Sequence, residues 1–104
     1  MNMSEDTAYI VMARLTILPN QELAFFKFEK KAILIMKTYG GKLISAIRTQ
    51  EEETNLYTEI HTLEFPDRET FQAYRNDKKL LELSEERKRC IAITRIEYGI
   101  KIEY

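Results

Sequence analysis

The stretch YTEIHTLEFPDRETFQAYRND, residues 57–77, places a strand, a break, a helix and a second break in succession. Its first part, up to Phe65, is rich in Tyr, Thr, Ile and Phe, as β-strands are. Pro66 ends the strand, and Asp67 is a suitable N-cap for a helix. The apolar periodicity then slips, and Asp77 predicts a fresh helix start. These signals predict a strand at about 56–65 and helical pieces at about 68–75 and 77–88.

The residues on either side of this stretch predict three more strands and a long helix. Asn20 is predicted to cap the long helix, which ends near Tyr39 at Gly40 and Gly41. A short acidic turn before Leu56 permits a hairpin, so the second and third strands should be antiparallel neighbours. The other predicted strands lie at about 8–18, 42–49 and 90–98.

This order of elements, β-α-β-β-α-β, predicts an α+β, ferredoxin-like domain over residues 1–104. Such a fold has a four-stranded antiparallel sheet with both helices on one face. We expect residues 1–6 to be disordered. Residues 99–104 alternate in polarity and are predicted to form a C-terminal extension strand.

The composition excludes several classes of partner. The chain has 104 residues, with 16 basic against 17 acidic side chains, and this balance argues against nucleic-acid binding. No apolar run approaches the roughly 18 residues that cross a bilayer, so no membrane contact is expected. Cys90 is the only cysteine, and we interpret it as a small buried residue in a cytoplasmic protein. No cofactor and no metal are predicted.

The sheet surface away from the helices should be too apolar to stay wet. The first strand has one fully apolar face, and its other face still carries Ile10 and Met12. Either a ligand or a second protomer must cover this surface. Two such sheets packed face to face would form a closed homodimeric barrel.

The chain resembles the dimeric α/β-barrel superfamily and, within it, a bacterial family of stand-alone domains of unknown function. The resemblance rests on YIVMARLTI (9–17), FEKKAILIMKTYGGKL (28–43), EIHTLEFPDRETFQAYRND (59–77) and ELSEERKRCIAITRIEYG (82–99). It implies ferredoxin-like subunits that pair sheet to sheet. It does not specify an activity, because the superfamily includes antibiotic-biosynthesis monooxygenases, dismutating and haem-degrading enzymes and ligand-sensing domains.

The third strand carries the candidate site. Tyr57, Glu59 and His61, the only histidine, share one face of the strand. If that face lies inside the barrel, His61 is suited to proton transfer near neutral pH, and Glu59 would orient it. The alternative is that both are ordinary polar residues on a solvent-exposed face. The sequence leaves open which face meets the helices.

Arginines are further candidates for ligand binding. Arg14 interrupts the mixed face of the first strand and could hold an anionic ligand, or instead pair with Glu59 across the strands. Glu29 is interpreted as a rim residue paired with a lysine. Arg87 matches an arginine of the resembled family that could touch a ligand, but complementing the helix C-terminus is the preferred interpretation.

The leading hypothesis is a homodimer with one pocket per subunit, lined by Arg14, Tyr57, Glu59 and His61. It would bind a small anionic or phenolic organic molecule. The reaction would be cofactor-free, of a monooxygenase or isomerase type, with His61 as the base, oriented by Glu59. The alternative is a non-catalytic module, either a ligand sensor or a structural dimer.

Overall fold

The computed structural model describes residues 8–104, and the predicted order of elements is confirmed. Residues 1–6, expected to be disordered, lie outside the described range. The elements are β1 (Tyr9–Ile17), α1 (Glu22–Lys37), β2 (Lys42–Gln50), β3 (Tyr57–Phe65), α2 (Arg68–Arg75), α3 (Lys78–Glu82), α4 (Ser84–Cys90) and β4 (Ile91–Ile100).

The four strands form one antiparallel sheet in the order β2-β3-β1-β4. This is the predicted ferredoxin-like arrangement, and the predicted β2–β3 hairpin is confirmed. In the central pair, Ala13 lies opposite His61 and Leu15 lies opposite Glu59. Because side chains alternate along a strand, this register decides which residues of β3 face the helices.

The core lies between the sheet and the helices. The odd-numbered side chains of β1 are buried there: Val11 and Ile17 are each 1% exposed, and Leu15 is 5% exposed. They pack against α1, where Phe25 and Phe28 are buried. This apolar layer holds β1 and β3 at a fixed distance from α1 and so positions the polar residues of β3.

The helix starts agree only in part with the sequence. Asp67 and Asp77 cap α2 and α3 by accepting hydrogen bonds from the backbone N–H groups of Thr70 and Leu80, as predicted. Asn20 is not the N-cap of α1. It has a positive φ of 65°, and α1 begins after Gln21 with no side-chain cap. The second break, at Leu83 between α3 and α4, was not predicted.

The two glycines at the end of α1 have different roles. Gly40 has a φ of 75°, a conformation that favours glycine. A Cβ on Gly41 would lie 2.4 Å from Met36 Cγ and 2.7 Å from Phe65 Cε1. Gly41 therefore allows the backbone to pass closely over the core as the chain turns into β2.

Cys90 closes the last helix as a buried residue, as expected from the sequence. It is 0% exposed, and its thiol lies 3.4 Å from the backbone oxygen of Glu86. Burial raises the pKa of the Cys90 thiol above its ordinary value. The thiol is therefore a packing group on the helix-facing side of the sheet.

The open face is the sheet surface away from the helices. Its apolar side chains include Met12, Ile47 and Ile93, which are 40%, 56% and 52% exposed. The predicted C-terminal extension strand is wrong beyond Ile100, because residues 101–104 belong to no strand. No helix within residues 8–104 is both long enough and apolar enough to cross a bilayer.

Candidate functional site

Glu59 and His61 face the helices and not the open face. They lie opposite Leu15 and Ala13, two buried residues of the row that packs against α1. The idea that pairing of two open faces would enclose these groups is therefore wrong. The sequence left the choice open because both faces of β3 mix polar and apolar residues.

His61 is held between two carboxylates. Its Nε2 lies 2.8 Å from Glu59 Oε1, and its Nδ1 lies 3.6 Å from Glu29 Oε2. Glu59 is held in turn by Arg48, whose Nε and Nη2 donate to Glu59 Oε2 over 2.8 and 2.6 Å. The four side chains form a row, Arg48–Glu59–His61–Glu29, which leads from the sheet edge into the protein interior.

The second nitrogen of His61 faces Glu29, with 3.6 Å between Nδ1 and Glu29 Oε2. If Nε2–H donates to Glu59, a neutral imidazole presents a lone pair at Nδ1. A lone pair directed at an ionised Glu29 would be unfavourable in a site where His61 is only 4% exposed. Burial raises the pKa of Glu29, while the nearby His61 opposes that rise. A proton on the Glu29 carboxyl would therefore face the Nδ1 lone pair of His61.

Glu29 and His61 lie on the wall of a cavity between the sheet and the helices. Its volume is about 610 Å³, within the range of small-molecule sites. The wall is mostly apolar and aromatic, with contributions from Phe28, Ala32, Met36, Leu63, Phe71 and Leu80. The cavity extends to exposed residues of α3 and β4, where Leu81 is 56% and Tyr98 is 47% exposed. Solvent and small molecules therefore have a path to the polar groups.

Two more polar side chains line this cavity. Tyr74 is partly buried, and its pKa is raised chiefly by desolvation, with a further contribution from the charge of Glu29. Its hydroxyl has only a long contact, 3.5 Å, to the backbone oxygen of Ala32. Arg87 projects from α4, and its guanidinium donates to Thr94 Oγ1 on β4. The carboxyl group of Glu29, the imidazole of His61 and the guanidinium of Arg87 thus line one cavity.

The residues predicted for the site are brought together only in part. Glu59 and His61 are in contact. Tyr57 shares their face but packs against the core, with the Arg48 guanidinium 5.7 Å from its ring centre, and it does not line the cavity. Arg14 lies on the open face, opposite Ile60. The expected Arg14–Glu59 ion pair is wrong, because Arg48 binds that carboxylate.

Three functional candidates were missed or undervalued. Arg48 lies directly opposite Glu59 in the β2–β3 hairpin. The register of the predicted hairpin could therefore have identified Arg48 as the partner of Glu59. Glu29 lies one turn after Phe25, on the edge of the buried stripe of α1. That position places it inside the protein and not on a rim. Arg87 reaches the cavity because α4 packs beside the first residues of β4.

The site has no geometry for a metal ion. Within residues 8–104, no group of three His, Cys, Asp or Glu side chains converges on a point. Glu29 and Glu59 lie at opposite nitrogens of the imidazole, so their oxygens point toward the ring from two sides. The arrangement is suited to moving protons along a line.

Comparison with sequence families gives one match. Residues 7–96 match the family described as a domain of unknown function, DUF1330. No curated protein matches the chain in sequence.

Solved structures share the fold. PA3566 from Pseudomonas aeruginosa is 14% identical, with a TM-score of 0.67, and the match covers 93% of this chain and 96% of that one. A NIPSNAP-like domain protein from Burkholderia xenovorans is 16% identical, with a TM-score of 0.71 and coverages of 95% and 89%. A candidate antibiotic biosynthesis monooxygenase from Chloroflexus aurantiacus is 12% identical, with a TM-score of 0.66 and coverages of 94% and 96%. At these identities the likeness concerns the fold alone.

Proposed function

Because the chain belongs to the DUF1330 family of domains of unknown function, we propose a function from the site itself: the protein binds a small anionic or phenolic organic molecule and exchanges a proton with it. The observation that carries this proposal is the buried His61, held between Glu59 and Glu29 on the wall of a cavity. Buried ionisable groups are costly unless they are paired, and they are concentrated at functional sites.

Each member of the row has a role in this proposal. Arg48 fixes Glu59, and Glu59 fixes the ring of His61 with Nδ1 toward Glu29. Glu29 and His61 both line the cavity, and in this proposal the Glu29 carboxylate removes a proton from an acidic C–H or O–H of the ligand. His61 would share that proton, because it lies next to Glu29 and can carry a positive charge. The sequence predicted His61 alone as the base, and in this proposal Glu29 acts together with it.

Cofactor-free proton transfer of this kind supports an isomerase-like or monooxygenase-like enzyme. Removal of a proton from an enolisable ligand gives an enolate or phenolate. Return of the proton to a different atom completes an isomerisation, whereas reaction of the carbanion with dioxygen begins an oxygenation. The apolar and aromatic cavity wall would hold the uncharged body of such a substrate beside Glu29 and His61.

A homodimer is the second part of the proposal, and it is supported by the open face. Arg14 and Arg95 lie opposite each other on β1 and β4, an arrangement that like charges make unfavourable. Neither has a carboxylate within ion-pair distance among the described residues. Glu97 lies two residues along β4 on the same face, so a second copy of the chain packed on this face would supply carboxylates for these arginines.

The alternative is a non-catalytic module, either a ligand sensor or a structural dimer. The observation that favours it is the saturation of Glu59, which has Arg48 on one oxygen and His61 on the other. In this reading the row is a structural ion network. It predicts that ligands bind the cavity without exchanging protons.

Deuterium exchange separates these functions. A panel of phenolic and 1,3-dicarbonyl acids is incubated with the protein in D₂O, and incorporation at carbon is followed by NMR. We expect catalysed exchange for at least one compound, with a loss of about 100-fold or more in His61→Ala and Glu29→Gln. Glu69→Gln, at an exposed position of α2, is the matched control and should keep the native rate. Equal rates in all three variants would contradict the proposed base.

A further inference from the structure

Among residues 8–104, Arg87 has no carboxylate within ion-pair distance. Its guanidinium lies on the cavity wall, and its only side-chain hydrogen bond within residues 8–104 goes to Thr94 Oγ1. The neighbouring Glu86 pairs with Lys31 on α1 at 2.9 Å and is not available to it. A guanidinium has five N–H donors in a planar fork, so most of its capacity is unused.

Arg87 is half-buried, and its surroundings within the cavity are largely apolar. Phe28, Leu80 and Ile96 line the same cavity, and polar groups beside such apolar surfaces favour direct partners. Glu29 interacts electrostatically with Arg87, but the two side chains are not close enough to form an ion pair. A carboxylate in the cavity would complete the fork with two parallel hydrogen bonds.

Aromatic side chains of the cavity wall indicate what the rest of the ligand should be, namely a flat and apolar group. Phe71, Tyr74 and Tyr98 line the same cavity, and Tyr98 lies at its exposed end. Arg75 lies at this end, where it donates to the Tyr98 hydroxyl at 3.0 Å and stands 5.6 Å from the centre of the Phe71 ring. A second cation at the entrance favours the approach of anions.

We propose that Arg87 is the specificity residue of the cavity and binds the carboxylate of a ligand with a flat, apolar body. This rests on the proposed function, in that it requires the cavity to bind a small organic molecule. A ligand held by its carboxylate on Arg87 would lie in the cavity whose wall also carries Tyr74, Glu29 and His61. Arg87 thus takes the role that the sequence assigned to Arg14.

The test uses 2-naphthoate and 2-naphthamide, two probes of nearly equal shape that differ in charge. Each is titrated into the isotopically labelled protein, and amide shifts around the cavity report the affinity. We expect naphthoate to bind about tenfold more tightly or better. In Arg87→Gln the two affinities should agree within about twofold. Arg89→Gln makes the same change at an exposed position of α4 and should keep the native ratio.

Each result decides a different point. Equal affinities for the two probes in the native protein would overturn the role of Arg87 while leaving cavity binding intact. Absence of binding by either probe at millimolar concentration would overturn both proposals. An equal loss in Arg87→Gln and Arg89→Gln would overturn the specific contact in favour of a general charge effect. If Arg87→Gln does not fold, Thr94→Val replaces it, with a severalfold drop in the ratio expected and an unchanged ratio contrary to the proposal.

Discussion

The two faces of the sheet differ in whether their arginines have carboxylate partners. On the helix-facing side, Arg48 binds Glu59 with two hydrogen bonds, and the imidazole of His61 completes the network. On the open face, Arg14 and Arg95 face each other without a carboxylate partner among the described residues. Arginine therefore forms a structural ion pair on one side of the sheet, which we call the clamp, and is unpaired on the other side among the described residues.

A buried hydroxyl extends this contrast. Within residues 8–104, Thr58 Oγ1 is the buried side-chain polar atom that lacks a hydrogen-bond partner. Thr58 lies opposite Thr16 and so points away from the helices. The Arg48–Glu59–His61 network on the helix-facing side is paired within one chain, whereas the open face has a buried hydroxyl without a partner and exposed apolar side chains. The contrast supports the proposal that a second copy of the chain covers the open face.

The largest expected effect comes from removing the clamp. Arg48→Met leaves the Glu59 carboxylate, which is 15% exposed, without its cation. We expect the free energy of unfolding to fall by about 1–3 kcal/mol. Arg14→Met makes the same change on the open face and should alter it by less than about 0.5 kcal/mol. Urea unfolding at equal dilute concentrations measures both, and a similar loss in the two variants would abolish the contrast between the faces.

A smaller effect is expected for self-association. Met12→Asp places a charge at the centre of the open face, and we expect the dimer dissociation constant to rise about tenfold or more, or about 1.4 kcal/mol. Sedimentation velocity measures this change. Leu34→Asp is the matched control, because Leu34 is 65% exposed on α1 and not on the sheet. A native protein that stays monomeric at high micromolar concentration would remove the proposed dimer.

The smallest effect is a change in pH dependence. Burial raises the pKa of Glu29 above its ordinary 4.5, so above pH 4.5 the folded protein binds more protons at this group than the unfolded chain. The free energy of unfolding must then fall as pH rises through this interval. Relative to Glu29→Gln, the native protein should lose up to about 1.4 kcal/mol per unit of pKa shift. Glu97→Gln, on the exposed open face, should keep the native pH profile in thermal and urea unfolding.

The sequence predicted the fold because its strongest signals are local. Pro66, Asp67 and Asp77 end and start elements by steric and hydrogen-bonding effects within a few residues. Asn20 shows the limit of such rules, because a residue with the right side chain can adopt a left-handed backbone and cap nothing. The break at Leu83 gives no comparable signal.

The site was harder to predict because it depends on register. Glu59 and His61 were recognised as a pair by their spacing alone, but the face they occupy follows from the pairing of His61 with Ala13. Likewise, Arg48 and Arg14 were both available to Glu59, and the hairpin pairing selects Arg48. A shift of one residue in either strand would reverse these assignments.

The buried thiol of Cys90 has a practical consequence. Labelling reagents attack the thiolate and require access, and this sulfur has neither charge nor exposure. A cysteine introduced at a surface position such as Leu34 would therefore be the sole reactive sulfur, with no need to delete the natural one. Fluorophores or spin labels attached there would report distances between two copies of the chain in solution.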